Sequence, residues 1–395
     1  MKESMISGHT QGLTPELRML QETINRFLVN EIHPVEVSAR KNDCTELPKP
    51  DVKRLQAIAN KLGLWCCEPP EEYGGAGLSS FPFVVAYEAA SKHTYSLPDP
   101  GCGVFGYDPP NILHSANEEQ KARYIQATVD AARQWFIGLS EPAGGSDPAR
   151  AIQTKAVLDG DYWVINGRKM WTSRADVAHH GIVFARTGTG RNGISAFIVD
   201  MPAEGISVRP VKVIRDHGTN EMLMENVRVH RDNMLGNEGE GFTLAQKWLV
   251  RGRLKIAAQC VGVAESALDI AIEYARQRET FGKKLASRQS IQNMLVDGYI
   301  EVKAARWLLW DAAWQDDRGE DARHAASIAK LYASESSFRA VDSAMQVLGG
   351  MGMSREMPLE HWFRGLRVNR VVEGPSEIHR MLVARDILGA DALQS

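Results

Sequence analysis

Helical periodicity sustained over very long runs constrains this chain more than any other feature. From about Phe242 to Arg276 the residues are rich in Ala and Leu and read as one helix, which stops before Phe281-Gly282. From about Ser290 to Asp316 the apolar Ile291, Met294, Leu295, Val302, Leu309 and Ala312 recur at helical intervals. From about Asp321 to Leu348 the stripe is Phe338, Val341, Met345 and Leu348, and a last helix follows Pro375. Runs of about thirty residues suit an antiparallel bundle in which each helix buries one stripe.

The N-terminal third is also helical. Thr14 and Pro15 read as N-cap and first helical residue, Leu17, Leu20, Ile24, Phe27 and Leu28 follow at helical spacing, and Pro34 should limit that helix. A second helix is expected from about Pro50 to Leu62, ending at Gly63. After the glycine-rich loop 71–78, helical pattern resumes over about Phe81–Ala90, and again over Glu118–Ala132 beyond a Pro/Gly-broken stretch.

Between Trp135 and about Asn233 the texture differs. Ala156-Val157-Leu158 and Tyr162-Trp163-Val164-Ile165 flank an Asp159-Gly160 turn, and 181–185, 194–199, 222–224 and 227–229 are further strand candidates. No helical period separates these runs, so the region reads as a compact antiparallel β-domain and not a βαβ sheet. That reading removes a decoy. Gly188-Thr189-Gly190-Arg191-Asn192-Gly193 matches the dinucleotide pattern, but a strand follows where a helix is required, so it is a hairpin loop. The predicted fold is α+β and multidomain: an N-terminal helical domain (1–133), a central antiparallel β-domain (134–236) and a C-terminal four-helix bundle (237–395).

Bulk properties narrow the function. A net charge of −3 without any Lys/Arg block leaves no nucleic-acid footprint. Cys44, Cys66, Cys67, Cys102 and Cys260 form neither a disulfide framework nor a metal spacing, and no metal site is expected. The opening residues show no secretory or transit pattern, and no apolar run approaches the ~20 residues of a membrane span. A cytoplasmic protein that handles small molecules is expected.

Candidate sites stand out locally. In Val371-Val372-Glu373-Gly374-Pro375-Ser376-Glu377, a carboxylate follows two valines that would partly desolvate it, raising its pKa toward that of a useful general base. Gly374 permits close backbone approach, and Pro375 suits the first helical position. A helix N-terminus decorated with acids explains the same residues. Leu139-Ser140-Glu141-Pro142-Ala143-Gly144-Gly145-Ser146-Asp147 offers backbone and hydroxyls to a flat polar ring system, or is an inter-domain turn. In Lys169-Met170-Trp171-Thr172-Ser173 a Trp beside hydroxyls can pack on a planar cofactor, or sit in a sheet core. Arg278 and Phe281 could meet a pyrophosphate and an adenine, or complete a helix C-terminus. Arg253 could hold an anionic group, and Gln346-Val347-Leu348-Gly349-Gly350-Met351-Gly352 leaves its helix through three glycines.

Taken in this order on this layout, S-E-P-A-G-G-S-D, K-M-W-T-S, R-E-T-F-G-K, Q-V-L-G-G-M-G and E-G-P-S-E-I-H-R resemble the acyl-CoA dehydrogenases, from about Thr14 to Gly389. The resemblance implies FAD held between the β-domain and the bundle. Its flavin contacts fall on Ile137, Leu139, Ser140, Trp171 and Ser173. Its adenine and pyrophosphate contacts fall on Arg278, Phe281, Gln289, Gln346 and Gly350, partly across a subunit interface, with Pro375 and Glu377 also beside the cofactor. Ser146, Arg253 and Gly374 fall at acyl-CoA positions, and Glu373 on the catalytic base; the alternative base position of some relatives is here about Gly252, which cannot serve. The implied reaction removes the α-proton to Glu373 and the β-hydrogen as hydride to flavin N5, giving a trans-2-enoyl-CoA. An electron-transfer flavoprotein as acceptor, a homotetramer and a role in fatty-acid metabolism are implied as well.

Val372 and Pro375 depart from the aromatic and Thr usual around the base, and 97–103 replaces a stretch that often lines the acyl pocket. Rivals on the same scaffold are an acyl-CoA oxidase, a nitroalkane oxidase, a flavin monooxygenase or a catalytically silent acyl-CoA-binding member. Glu373 argues against the nitroalkane oxidase and the monooxygenase, and the base with the largely present flavin contacts against the silent member.

Overall fold

The computed structural model describes residues 12–95, 97, 103–215 and 218–393. The chain divides into two compact units: Met1–Trp65, Leu78–Phe105 and Val250–Ser395 form one, and Cys66–Gly77 with Gly106–Leu249 form the other.

The first unit is helical. It contains α1 (Pro15–Phe27), α2 (His33–Lys41), α3 (Lys49–Lys61) and α4 (Ser80–Ala90). The Thr14 hydroxyl accepts from the Leu17 N–H, capping α1 as its sequence suggests. Pro34 does not end the helical path. A single π-turn, Leu28–Ile32, widens the ladder just before it, and Pro34 then sits in the first turn of α2, where no N–H is needed. Phe27, Leu28, Ile32, Leu55, Leu64, Ala89 and Val104 close the core of this segment.

The bundle adds most of α7 (Gly241–Gln277), then α8 (Gln289–Asp317), α9 (Arg323–Leu348), α10 (Leu359–Asn369) and α11 (Ser376–Leu388). The short α10 joins the four expected helices. Leu359, Trp362, Leu366 and Asn369 give it a buried stripe, but Gly365 interrupts its sequence signal. Helix α9 packs against α8, α10 and α11, and α4 against α1 and α8. Within the core, Arg306 on α8 donates to Glu88 on α4 at 2.8 Å and to Glu265 on α7 at 3.0 Å, and Lys92 also pairs with Glu265 at 2.6 Å. These carboxylates are almost fully buried and depend on their cations. Among the described residues no helix is long and apolar enough to cross a membrane.

The second unit holds α5 (Glu118–Ala131), the short α6 (Pro148–Ala151) and one mixed sheet. Its strands are β1 (Trp135–Gly138), β2 (Lys155–Asp159), β3 (Tyr162–Thr172), β4 (His180–Arg186), β5 (Ile194–Asp200), β6 (Ile206–Val211), β7 (Thr219–His230) and β8 (Met234–Leu235), in the order β6-β7-β3-β2-β4-β5-β8. Most pairings are antiparallel, but β1 adds to β4 in parallel, and β2 meets β4 in parallel at Lys155–Arg186. The β2–β3 hairpin pairs Asp159 with Tyr162, so its turn residues are Gly160 and Asp161. The runs 222–224 and 227–229 are one continuous strand. Asn226 takes φ 54° and its N–H donates to the Asn166 side chain, absorbing a register shift. The Gly188–Gly193 stretch closes the β4–β5 hairpin, and the Gly193 carbonyl accepts from Thr187 and Gly188. β6 alternates apolar and polar residues only over 206–209 before Pro210, which weakens its strand signal; it lies at the sheet edge, where proline is tolerated.

Candidate active site

In the helical unit the chain leaves α10 and turns through Arg370–Pro375 before α11 begins at Ser376. Pro375 is therefore the N-cap, with φ −66° and ψ 157°, and not the first helical residue. The Ser376 N–H donates to the Arg370 carbonyl and closes the turn, while its hydroxyl donates to Glu335, which also pairs with Arg370 at 2.9 Å.

Glu373 sits in this turn with φ 55°, a left-handed conformation that costs a non-glycine residue roughly 1–2 kcal/mol. The residue is partly exposed as a whole, but its Oε2 is sealed from solvent and has no hydrogen-bond partner among the described residues. Val371 does not supply this shelter, being itself 54% exposed. Helix α7 does. A Cβ on Gly252 would stand 3.2 Å from Glu373 Oε2 and 3.3 Å from Cδ, so the missing side chain makes the recess that holds the carboxylate. Burial holds the Glu373 carboxyl above the usual carboxylate range, against the opposing charges of Arg253, Lys330 and Lys255. A neutralisable, unpartnered carboxyl facing a recess is the constitution of a general base.

Three neighbours shape that turn. Arg253, nearly buried, donates through Nη1 to Ser327 at 3.0 Å and through Nε to the Glu373 carbonyl at 3.4 Å. Lys330, fully buried on α9, donates to the Gly374 carbonyl at 2.7 Å; burial pushes its pKa down to about 8. His379 on α11 is also fully buried, and a Cβ on Gly374 (φ 99°) would come within 3.2 Å of its Nε2. Burial and the Lys330 and Arg253 charges push His379 down to about 3, so it is neutral near pH 7. Lys330, His379 and the recess at Gly252 were not identified from sequence. A lysine at the centre of the Ala326, Ala329, Ala333 face was the one available signal.

The remaining predicted residues of this unit are exposed. Arg278 follows α7, and Phe281-Gly282 forms a two-residue turn between the tiny strands 279–280 and 283–284. Both turn residues have positive φ, 50° and 70°, a geometry that normally selects Asn-Gly. Phe281 is nonetheless aromatic there and 97% exposed, with the Arg288 guanidinium 6.0 Å from its ring. Gln289 opens α8, Gln346 lies in the last turn of α9, Glu377 in the first turn of α11, and a Cβ on Gly350 would meet nothing within 4 Å.

In the sheet unit, Ile137 is on β1, with Leu139 and Ser140 just beyond it. The Met170 N–H donates to the Ser140 carbonyl, tying this exit to the end of β3, which carries Trp171. Trp171 has φ 62° and is 56% exposed; Ser173 is exposed, with Arg215 Nη2 at 3.5 Å from its hydroxyl. The loop that follows Ser140 is anchored from within. The Glu141 carboxylate binds Lys169 at 2.7 Å and accepts from the Gln153 and Thr154 N–H groups, leaving Ser146 exposed on the loop. The structure thus gathers Arg253, Glu373 and Gly374 in one unit, and joins Ser140 to the Trp171 strand in the other.

FAD fits these surfaces. Trp171 and Phe281 hold large apolar faces on strained backbone without burying them, and Gly350 presents bare backbone. Unburied aromatic area on costly φ values is what a stacked planar ligand would repay.

Comparison with known proteins agrees. The chain matches the N-terminal domain of acyl-CoA dehydrogenase over residues 14–132, the middle domain over 137–227 and the C-terminal domain over 239–388. It is 34% identical to a 3-(aryl)acrylate reductase of Clostridium sporogenes, covering 95% of this chain and 99% of that protein. It is 36% identical to the human mitochondrial short-chain specific acyl-CoA dehydrogenase, covering 94% of this chain and 90% of that one. The solved structure of butyryl-CoA dehydrogenase from Megasphaera elsdenii superposes with a TM-score of 0.85 at 29% identity, covering 95% and 99% of the two chains. With all three domains matched in order, the chain belongs to the acyl-CoA dehydrogenase family of FAD-dependent oxidoreductases.

Proposed function

We propose that this protein carries out α,β-dehydrogenation of an acyl-CoA thioester to a trans-2-enoyl-CoA, with Glu373 as the base that takes the α-proton. The observation that supports this most is the sealed, unpartnered Glu373 Oε2 in the Gly252 recess. A carboxylate in water is too weak a base for a thioester α-proton; desolvation narrows that gap. The Glu373 backbone N–H, which no group among the described residues takes up, would hold the thioester oxygen and stabilise the developing enolate. Ser146, Arg253 and Gly374 would position the acyl-CoA. FAD, when bound, supplies the two-electron acceptor for the β-hydrogen. Ile137, Leu139, Ser140, Trp171, Ser173, Pro375 and Glu377 would hold the flavin part, and Arg278, Phe281, Gln289, Gln346 and Gly350 its adenine and pyrophosphate.

An electron-transfer flavoprotein as acceptor, a homotetramer and a cytoplasmic location complete the proposal. Exposed Val296 and Ile300 on α8, and Met381, Ile387 and Leu388 on α11, support self-association. The division into domains 1–133, 134–236 and 237–395 is supported by the matched stretches, each of which falls within one of them.

The test is anaerobic mixing with a panel of saturated acyl-CoAs, followed by flavin bleaching, for the wild type and Glu373→Gln. The variant should stay yellow and bind acyl-CoA but reduce its flavin slower by a factor of about 10² or more. Fast reduction in Glu373→Gln would move the base elsewhere.

A further inference from the structure

We propose that Lys330 is a positioning residue for this reaction: through its hydrogen bond to the Gly374 carbonyl it holds the turn in which Glu373 presents its carboxylate, and it places a cation beneath that carboxylate. The inference rests on Glu373 being the base.

Lys330 is fully buried and, among the described residues, forms no ion pair. Its hydrogen bond runs 2.7 Å to a backbone carbonyl, that of the residue after the base. Burying an unpaired ammonium opposes folding, and an apolar side chain of the same length would pack there at lower cost. Stability alone therefore does not account for a lysine. The turn above it needs a clamp. Glu373 has a positive φ, which a non-glycine residue keeps only when its surroundings over-determine it, whereas Gly374 takes its φ of 99° freely. A second side chain, Arg253, reaches the Glu373 carbonyl through Nε at a longer 3.4 Å. Lys330 supplies the shorter contact.

The charges around the pair are few. Arg253 and Lys255 on α7 and Lys330 on α9 face Glu373; Cys260, Glu335, Arg253, Glu373 and His379 surround Lys330. His379 is neutral, and Glu335 is engaged by Ser376 and Arg370. Removing Lys330 thus takes away both the clamp and one of three cations that stabilise ionised Glu373. The sign follows: the Glu373 carboxyl should then stay protonated to higher pH.

The experiment compares wild type, Lys330→Met, Lys330→Gln and Glu373→Gln as FAD-loaded proteins. Three quantities are read: the anaerobic flavin-reduction rate against pH, affinity for a non-reacting acyl-CoA analogue, and the infrared C=O band of protonated Glu373, identified by its absence in Glu373→Gln. Lys330→Met should bind the analogue within about threefold of wild type and reduce slower by about ten- to a hundredfold. Its Glu373 band and the acid limb of its rate profile should both move up by about one pH unit or more. Lys330→Gln keeps a donor without the charge, so it should recover part of the rate and none of the pH shift. Wild-type rate and an unshifted band in Lys330→Met would overturn the proposal. If that variant does not fold, an unshifted band in Lys330→Gln overturns it instead. Fast reduction by Glu373→Gln would defeat the base assignment itself, whereas slow Glu373→Gln beside a wild-type-like Lys330→Met would defeat only the role of Lys330.

Discussion

Gly252→Ala separates the architecture around Glu373 from the chemistry proposed for it. The added methyl would lie 3.2 Å from Oε2 and 3.3 Å from Cδ of Glu373, whereas carbon atoms pack comfortably at about 3.5–4.0 Å. The carboxylate must therefore retreat by roughly a few tenths of an ångström. If misplacement by 1 Å costs about a hundredfold, this retreat should slow flavin reduction roughly tenfold. The helix should respond in the opposite sense. Gly252 lies inside α7, where alanine is favoured over glycine by about 1 kcal/mol, so urea unfolding should show equal or greater stability. The paired signature, a sturdier protein that reduces its flavin more slowly, is measured by stopped-flow bleaching and denaturant titration. The effect of α-deuterated substrate on the rate should also grow, because proton abstraction becomes the slower step. Wild-type reduction together with the stability gain would refute α7 as the wall that sets the carboxylate. A loss of more than about 2 kcal/mol would show instead that the 370–375 turn cannot yield.

Two further outcomes follow from buried or strained groups. His379 is pushed down to about 3 from an ordinary value near 6.5, so the unfolded chain takes up a proton in that window that the fold refuses. Stability should fall as pH drops from about 6.5 toward 3, by up to about 1.4 kcal/mol per pH unit from this group, and denaturation of His379→Gln should show a shallower acid slope. Phe281→Gly should leave the subunit as stable or up to ~1 kcal/mol more stable, because φ 50° suits glycine. It should also lose FAD faster on dialysis; undiminished FAD retention would remove Phe281 from the cofactor site.

Much of the fold was legible because its signals are local. The long helices announce themselves by apolar spacing, Thr14-Pro15 by its capping chemistry, and the β4–β5 loop by the strand that follows it. What escaped depends on partners. Pro34 reads as a stop until the π-turn at 28–32 relieves the ladder before it. Pro210 hides a strand that an edge position permits. Asn226 splits β7 in sequence but only bends it in space. The same holds at the site. Glu373 and Gly374 are visible as a motif, whereas Gly252, Lys330 and His379 matter through what they touch, and only the alanine face around Lys330 hints at it in sequence.

Trp171, Phe281 and Glu373 share one property that no motif encodes: each is a bulky or charged residue at positive φ, where glycine would be cheaper. A library of this protein selected only for heat resistance should therefore drift toward glycine at these three positions, and if they serve FAD and the α-proton as proposed its survivors should be colourless or inactive. Asn226 shares that backbone region for a structural reason, a register shift, so the selection would separate residues kept for a proposed ligand from those kept for the sheet only when cofactor retention is read beside stability.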